Sequence, residues 1–97
     1  MDQTGIKPQV IEEIQSLAQK YNLEKVILFG SRARGDFGRA SDIDLAVYGG
    51  RIADFMIDVK EETSTLLDFD IIDMGQLLQG KLLDSIRREG VVLYEKV

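Results

Sequence analysis

Apolar positions along the chain alternate between blocks with helical spacing and blocks with strand character. Val10, Ile11, Ile14, Leu17, Ala18 and Tyr21 recur at the three-and-four interval of one helix face. Pro8 precedes them, and its fixed φ suits a first helical turn, so the pattern predicts a helix of about 13 to 15 residues that starts near Lys7 and ends at Asn22. The run 25–29 is β-branched and aromatic and is closed by Gly30-Ser31; a second such run, 43–48, is closed by Gly49-Gly50. Between them 31–34 fits one helical turn stopped by Gly35, with an irregular loop over 38–41. Ile52, Phe55, Met56 and Val59 repeat at helical spacing, 69–72 makes a third strand, and Leu82, Leu83 and Ile86 support a last helix capped by Gly90 before a short strand over 91–94. This order predicts the α+β (mixed α/β) class: a small sheet, mixed in direction, with helices packed on it. With no internal repeat, low-complexity stretch or linker, residues 1–97 are expected to form a single domain.

Composition removes whole chemistries. The chain has no cysteine and no histidine, which excludes disulfides, zinc sites built on thiolate or imidazole, and nucleophiles activated by histidine. Catalysis must run on carboxylates, hydroxyls and cations. The net charge of -5 argues against a nucleic-acid binder, whose affinity comes largely from cations neutralising phosphates. Arg32, Arg34 and Arg39 nevertheless fall in a stretch whose one acid is Asp36, a local cationic patch suited to a small anion. No apolar run approaches the roughly 20 residues of a membrane span, and the N-terminus lacks the basic-then-apolar order of a secretory signal, so a cytoplasmic protein without membrane contact is expected.

The candidate chemistry lies in Phe29-Gly-Ser-Arg-Ala-Arg-Gly35 and Ser41-Asp-Ile-Asp-Leu45. Gly30 and Gly35 have the separation of Walker-loop glycines, but Asp36 stands where that loop needs lysine. A strand-Gly-Ser-helix junction can offer backbone N–H groups and a hydroxyl to phosphate, or it can simply be a tight turn with Ser31 as its cap. Gly30 would serve the ligand, bringing backbone close to a phosphate where a Cβ would intrude, so that its replacement should cost binding rather than folding. Asp42 and Asp44 share one strand face at i and i+2, where two charges roughly 6 to 7 Å apart repel by roughly 2 to 2.5 kcal/mol at an effective dielectric of about 20. Either they form a solvated strand end or hard divalent cations neutralise them. A third acid would decide. Asp68 and Asp70 alternate with Phe69 and Ile71; Asp70, flanked by apolar residues and hence expected to be buried, is the stronger candidate, and Asp73 caps a short helix from Gly75. The three acids Asp42, Asp44 and Asp70 are expected to converge on one metal site. Arg32 and Arg34 leave their turn on different faces: one is expected to anchor an acid within the fold and the other, Arg34, to reach phosphate, while Arg39 is solvated.

Gly30-Ser31, Asp42-x-Asp44 and a later strand aspartate together resemble the signature of the polymerase β nucleotidyltransferase superfamily. With Asp70-Ile-Ile-Asp73 and Gly90-Val-Val-Leu-Tyr94, the match resembles its smallest branch, the minimal nucleotidyltransferases, over about 10–94. The resemblance implies a nucleotidyltransferase fold that moves a nucleoside monophosphate, AMP from ATP, to an acceptor hydroxyl with release of pyrophosphate. It implies that Gly30 and Ser31, with Arg34, bind the triphosphate. Asp42, Asp44 and Asp70 would be the catalytic residues and the ligands of two Mg²⁺ ions, which Mn²⁺ could replace. Minimal nucleotidyltransferases are typically paired with a helical partner of the HEPN type carrying an Arg-x4-6-His motif, so an antitoxin that modifies a toxin is implied. The other readings are a non-catalytic module that neutralises such a partner by occlusion, and a small-molecule nucleotidyltransferase working as a homo-oligomer.

Overall fold

The computed structural model describes residues 2–76 and 80–97. After a 3-10 turn over Asp2–Thr4, the elements run α1 (Pro8–Lys20), β1 (Lys25–Phe29), α2 (Ser31–Arg34), β2 (Ile43–Tyr48), α3 (Ile52–Glu62), β3 (Phe69–Asp73), α4 (Lys81–Glu89) and β4 (Val91–Glu95). The strands form one four-stranded sheet in the order β3-β2-β1-β4. β1 is antiparallel to both its neighbours, β2 and β4, while β2 and β3 run parallel. The parallel pair needs a crossover connection, and α3 supplies it. The mixed sheet is therefore as the element order predicts.

Alternation along the strands divides the side chains between two faces. One face carries Val26, Leu28, Ile43, Leu45, Val47, Phe69 and Ile71, and it is closed by Val10, Ile11, Ile14 and Ala18 of α1 and Phe55 and Val59 of α3. Tyr21, at the end of α1, donates its hydroxyl to Asp58 of α3, with Lys20 Nζ 3.7 Å from the same carboxylate. The opposite face carries a smaller cluster of Ile27, Phe29, Ala46 and Met74, sealed by Ile86 of α4. Among the described residues, α4 covers this second face at one end. At the other end stand Asp44 and Asp70, which share the parity of Ala46 and Ile72.

α1 begins behind Lys7 with Pro8 in its first turn, and Asn22 lies in the left-handed region with φ 59° just after its end. The short helix expected from Gly75 falls partly on residues 77–79, outside the described residues. What is described is a turn in which Asp73 Oδ1 accepts from Gly75 N at 2.9 Å. Gly90 ends α4 for a reason other than the left-handed cap that a terminal glycine suggests: its φ is -62°, and its N–H bonds to Ile86 O at 2.9 Å. A Cβ there would stand 2.5 Å from Ile27 Cγ2 and run into the Ile86 carbonyl. The glycine is a spacing requirement between α4 and β1. Gly90→Ala should therefore lower stability by about 1–3 kcal/mol, the usual cost of overpacking, and thermal unfolding followed by circular dichroism should drop by about 4–8 °C per kcal/mol. An unchanged midpoint would contradict this packing.

Candidate active site on the open end of the sheet

Strand register builds the site. In the antiparallel pair β1/β2, Phe29 faces Asp44, and in the parallel pair β2/β3, Asp44 faces Asp70. Asp44 thus stands in the middle of three strands, with the β1–α2 junction on one side and a second carboxylate on the other. Adjacent strands lie about 4.8 Å apart, which brings Asp44 and Asp70 within strong electrostatic range. Asp42 sits just before β2, between Ser41 and Ile43, whose N–H bonds to Asp68 O at 2.9 Å. Asp44 is half-buried, whereas Asp42 and Asp70 are exposed.

Burial, then the Asp70 charge and then the Asp42 charge, push the Asp44 carboxyl above its ordinary value, and Arg34 opposes them. Asp42 and Asp70 thus both act on Asp44. They do not form a finished cage: among the described residues no three acidic side chains gather closely enough to hold a metal ion. The expectation of a buried Asp70 is also corrected. β3 is an edge strand, and the described helices leave its acid-bearing face open at that end, so Asp70 reaches solvent. Hard oxygen donors of like charge fit a hard divalent cation, and Mg²⁺ is usually bound by one or two carboxylates together with substrate phosphates and waters.

Gly30 caps α2 with φ 77°, and its carbonyl accepts from Ala33 N and Arg34 N at 3.1 Å each. Ser31 is the first helical residue rather than the cap. The strand runs straight into the turn because Gly30 follows the residue paired with Asp44. A Cβ on Gly30 would collide with the Asp44 carboxylate, reaching 3.1 Å even from its Cγ. The expectation that Gly30 serves only a ligand is thus corrected: left-handed backbone and contact with Asp44 both require glycine in the protein alone.

The arginines divide as expected in direction but not in partner. Arg34 is exposed on the side of the acids, with Nε 3.1 Å from Asp36 Oδ2 and Nη1 3.1 Å from Glu89 Oε2 of α4. Arg32 points inward and binds backbone carbonyls, not an acid. The cationic patch therefore reduces to Arg34 and Arg39 at the surface. Glu89 is a neighbour of this site that sequence reasoning missed, being 55 residues from Arg34 with no local signal to connect them.

A sheet that presents a Gly-Ser turn against clustered aspartates has the chemistry of a nucleotidyltransferase. The family model "Polymerase beta, Nucleotidyltransferase" matches residues 12–97, and this chain belongs to that family. A "Putative protein adenylyltransferase" of Methanocaldococcus jannaschii is 37% identical over 94 positions, which cover 86% of this chain and 92% of the relative. Among solved structures, a toxin-antitoxin with AMP-PNP superposes with a TM-score of 0.70 at 24% identity, over 89% of this chain and 73% of the other. A mutant of the toxin-antitoxin MntA-HpeT gives a TM-score of 0.68 at 21% identity, over the same shares. The last two are likenesses of fold. The minimal nucleotidyltransferase resemblance of the motifs fits all of these.

Because the folded protein raises the pKa of Asp44, its charged form opposes folding, fully so above the folded pKa, and the penalty fades as pH falls through that value towards the unfolded one. Asp44→Asn should accordingly raise the thermal midpoint by a few degrees at neutral pH without divalent cations, and the gain should vanish in acid. Gly30→Ala should lower it, since left-handed backbone alone costs a side chain about 1–2 kcal/mol. Thermal melts of both variants across pH check the pair; a destabilised Asp44→Asn at neutral pH would contradict the electrostatic reading.

Proposed function

We propose that this chain is a metal-dependent AMP transferase that modifies a hydroxyl on a protein partner, and that the partner is a helical toxin of the HEPN type which the modification silences. The observation that carries the reading is Asp44: a half-buried carboxylate whose charge Asp70 and Asp42 oppose, with Gly30 packed against it. Such a cluster is costly for folding and suits a site that receives cations and a polyphosphate. The M. jannaschii relative is named for protein adenylylation, and the fold neighbours are toxin-antitoxin proteins, one of them with AMP-PNP.

In this reading the Gly30-Ser31 turn cradles the triphosphate and Arg34 offers its guanidinium to the phosphates. Asp42, Asp44 and Asp70 would hold two Mg²⁺, or Mn²⁺ in their stead. Bound there, the cations supply counter-charge to the triphosphate and to the departing pyrophosphate. The acceptor hydroxyl oxygen attacks the α-phosphorus, the bond from that phosphorus to the β-bridging oxygen breaks, and pyrophosphate leaves. Asp70, exposed on the open strand, accepts the hydroxyl proton. Asp44 fixes the electrostatics, and Asp42 completes the carboxylate set from the loop side.

Incubation with ATP, Mg²⁺ and a helical partner carrying the Arg-x4-6-His motif should add AMP to a partner hydroxyl, most directly a tyrosine, read by intact-mass spectrometry. Asp44→Asn should abolish the addition while leaving the two chains associated, because charge stabilisation of this kind is worth several kcal/mol of barrier. A partner silenced equally by both proteins with no change in mass would overturn transfer in favour of occlusion.

A further inference from the structure

The buried charged residue among those described is Arg32, 2% exposed, and the mechanism above does not use it. Its guanidinium faces carbonyls: Nε donates to Ser41 O at 3.0 Å, Nη1 to Thr4 O at 2.9 Å and Nη2 to Arg39 O at 3.3 Å. Its Cζ lies over the Phe37 ring, 4.8 Å from the centroid. Burying a cation against neutral carbonyls is expensive compared with an apolar side chain of the same volume. The arrangement therefore calls for a role beyond filling space.

The carbonyls belong to segments outside the sheet, the N-terminal turn and the loop leading to β2. Within that loop Ser41 Oγ accepts from Gly38 N at 2.8 Å, so the turn at 38–41 is closed on itself. Arg32 then ties the Ser41 carbonyl to α2, and Asp68 O ties the Ile43 N–H to the start of β3. Asp42 is the residue between those two fixed peptides. Its carboxylate is exposed, and its position is set through backbone held from both sides. The N-terminal segment closes over the same stack: Gly5 has φ 69°, and a Cβ on it would stand 2.8 Å from Arg32 Nη1 and 2.7 Å from Phe37 Cζ.

We propose that Arg32 is a positioning residue for Asp42: it touches neither nucleotide nor cation, and fixes the loop peptide from which Asp42 reaches the site. This rests on the reading of the acid cluster given under Proposed function. The chemistry explains the residue type. A guanidinium is a planar fork whose N–H groups reach carbonyls in divergent directions while its face stacks on a ring, whereas a lysine ammonium is a point charge that cannot do both.

The test measures Mn²⁺ binding by electron paramagnetic resonance in the presence of a non-hydrolysable ATP analogue, at a temperature where every variant is folded. Arg32→Lys should bind Mn²⁺ about tenfold more weakly than wild type, the usual lower bound for losing a group that orients a ligand. Val59→Ala, a core substitution in α3, provides a destabilised control and should bind as wild type does. In an Asp42→Asn background, Arg32→Lys should cost little more, because the residue through which it acts is already gone. Amide exchange over 38–43 should quicken in Arg32→Lys. Equal Mn²⁺ affinity in Arg32→Lys and Val59→Ala, or an undiminished Arg32→Lys effect in the Asp42→Asn background, would overturn the proposal alone. A wild-type protein that binds no Mn²⁺ with the analogue would overturn the site reading itself, and the proposal with it.

Discussion

Like-charge repulsion around Asp44 is the constraint on which the rest of this structure turns. The sheet pairs Asp44 with Phe29 on one side and Asp70 on the other, so a carboxylate is fixed at half-burial beside a second one, with a third arriving from the loop. Nothing about the packing of a small sheet demands this. The opposite face is filled with aliphatic and aromatic side chains, and among the described residues α4 closes the acid-bearing face around Ile27, Phe29, Ala46 and Met74. Sites that work against folding stability in this way are where function is expected.

The surroundings make the repulsion persistent. Gly30 brings the β1–α2 junction into contact with the Asp44 carboxylate, Arg34 partly offsets its charge, and Arg34 is itself shared with Asp36 and Glu89. Arg32 secures the far side of the cluster from below. One four-residue helix thus sends one arginine to the surface beside the acids and the other into the loop that carries Asp42. A short element can do both because side chains two apart on a helical turn leave in different directions.

Much of this was legible from local pattern. The helical turn 31–34 between two glycines and the strands at 25–29 and 43–48 follow from periodicity and turn chemistry acting over a few residues, whereas Asp42, expected on the strand face of Asp44, lies before β2 begins. Alternation places Asp68 and Asp70 on one face and does not separate them; Asp70 was preferred for its apolar neighbours, and its burial was misjudged because such neighbours do not reveal that β3 is an edge strand. What escaped depends on contacts distant in sequence. Gly90 is small because Ile27 lies against it, Gly30 is small because Asp44 does, and Arg34 meets Glu89 across the sheet face. Arg32 was expected to seek an acid; its carbonyl partners are set by loop and N-terminal backbone, whose course no periodicity encodes.

The central claim is that these carboxylates await divalent cations that arrive with a polyphosphate. Its most direct test is the thermal midpoint of the wild-type protein with Mn²⁺, with a non-hydrolysable ATP analogue, and with both, at neutral pH. A ligand that binds the folded state alone raises the midpoint by an amount that grows with the logarithm of its concentration over its Kd. The account predicts that the two together raise it well beyond the sum of their separate effects, because each completes the other's site. Separate shifts that merely add, or no shift with both present, would contradict it.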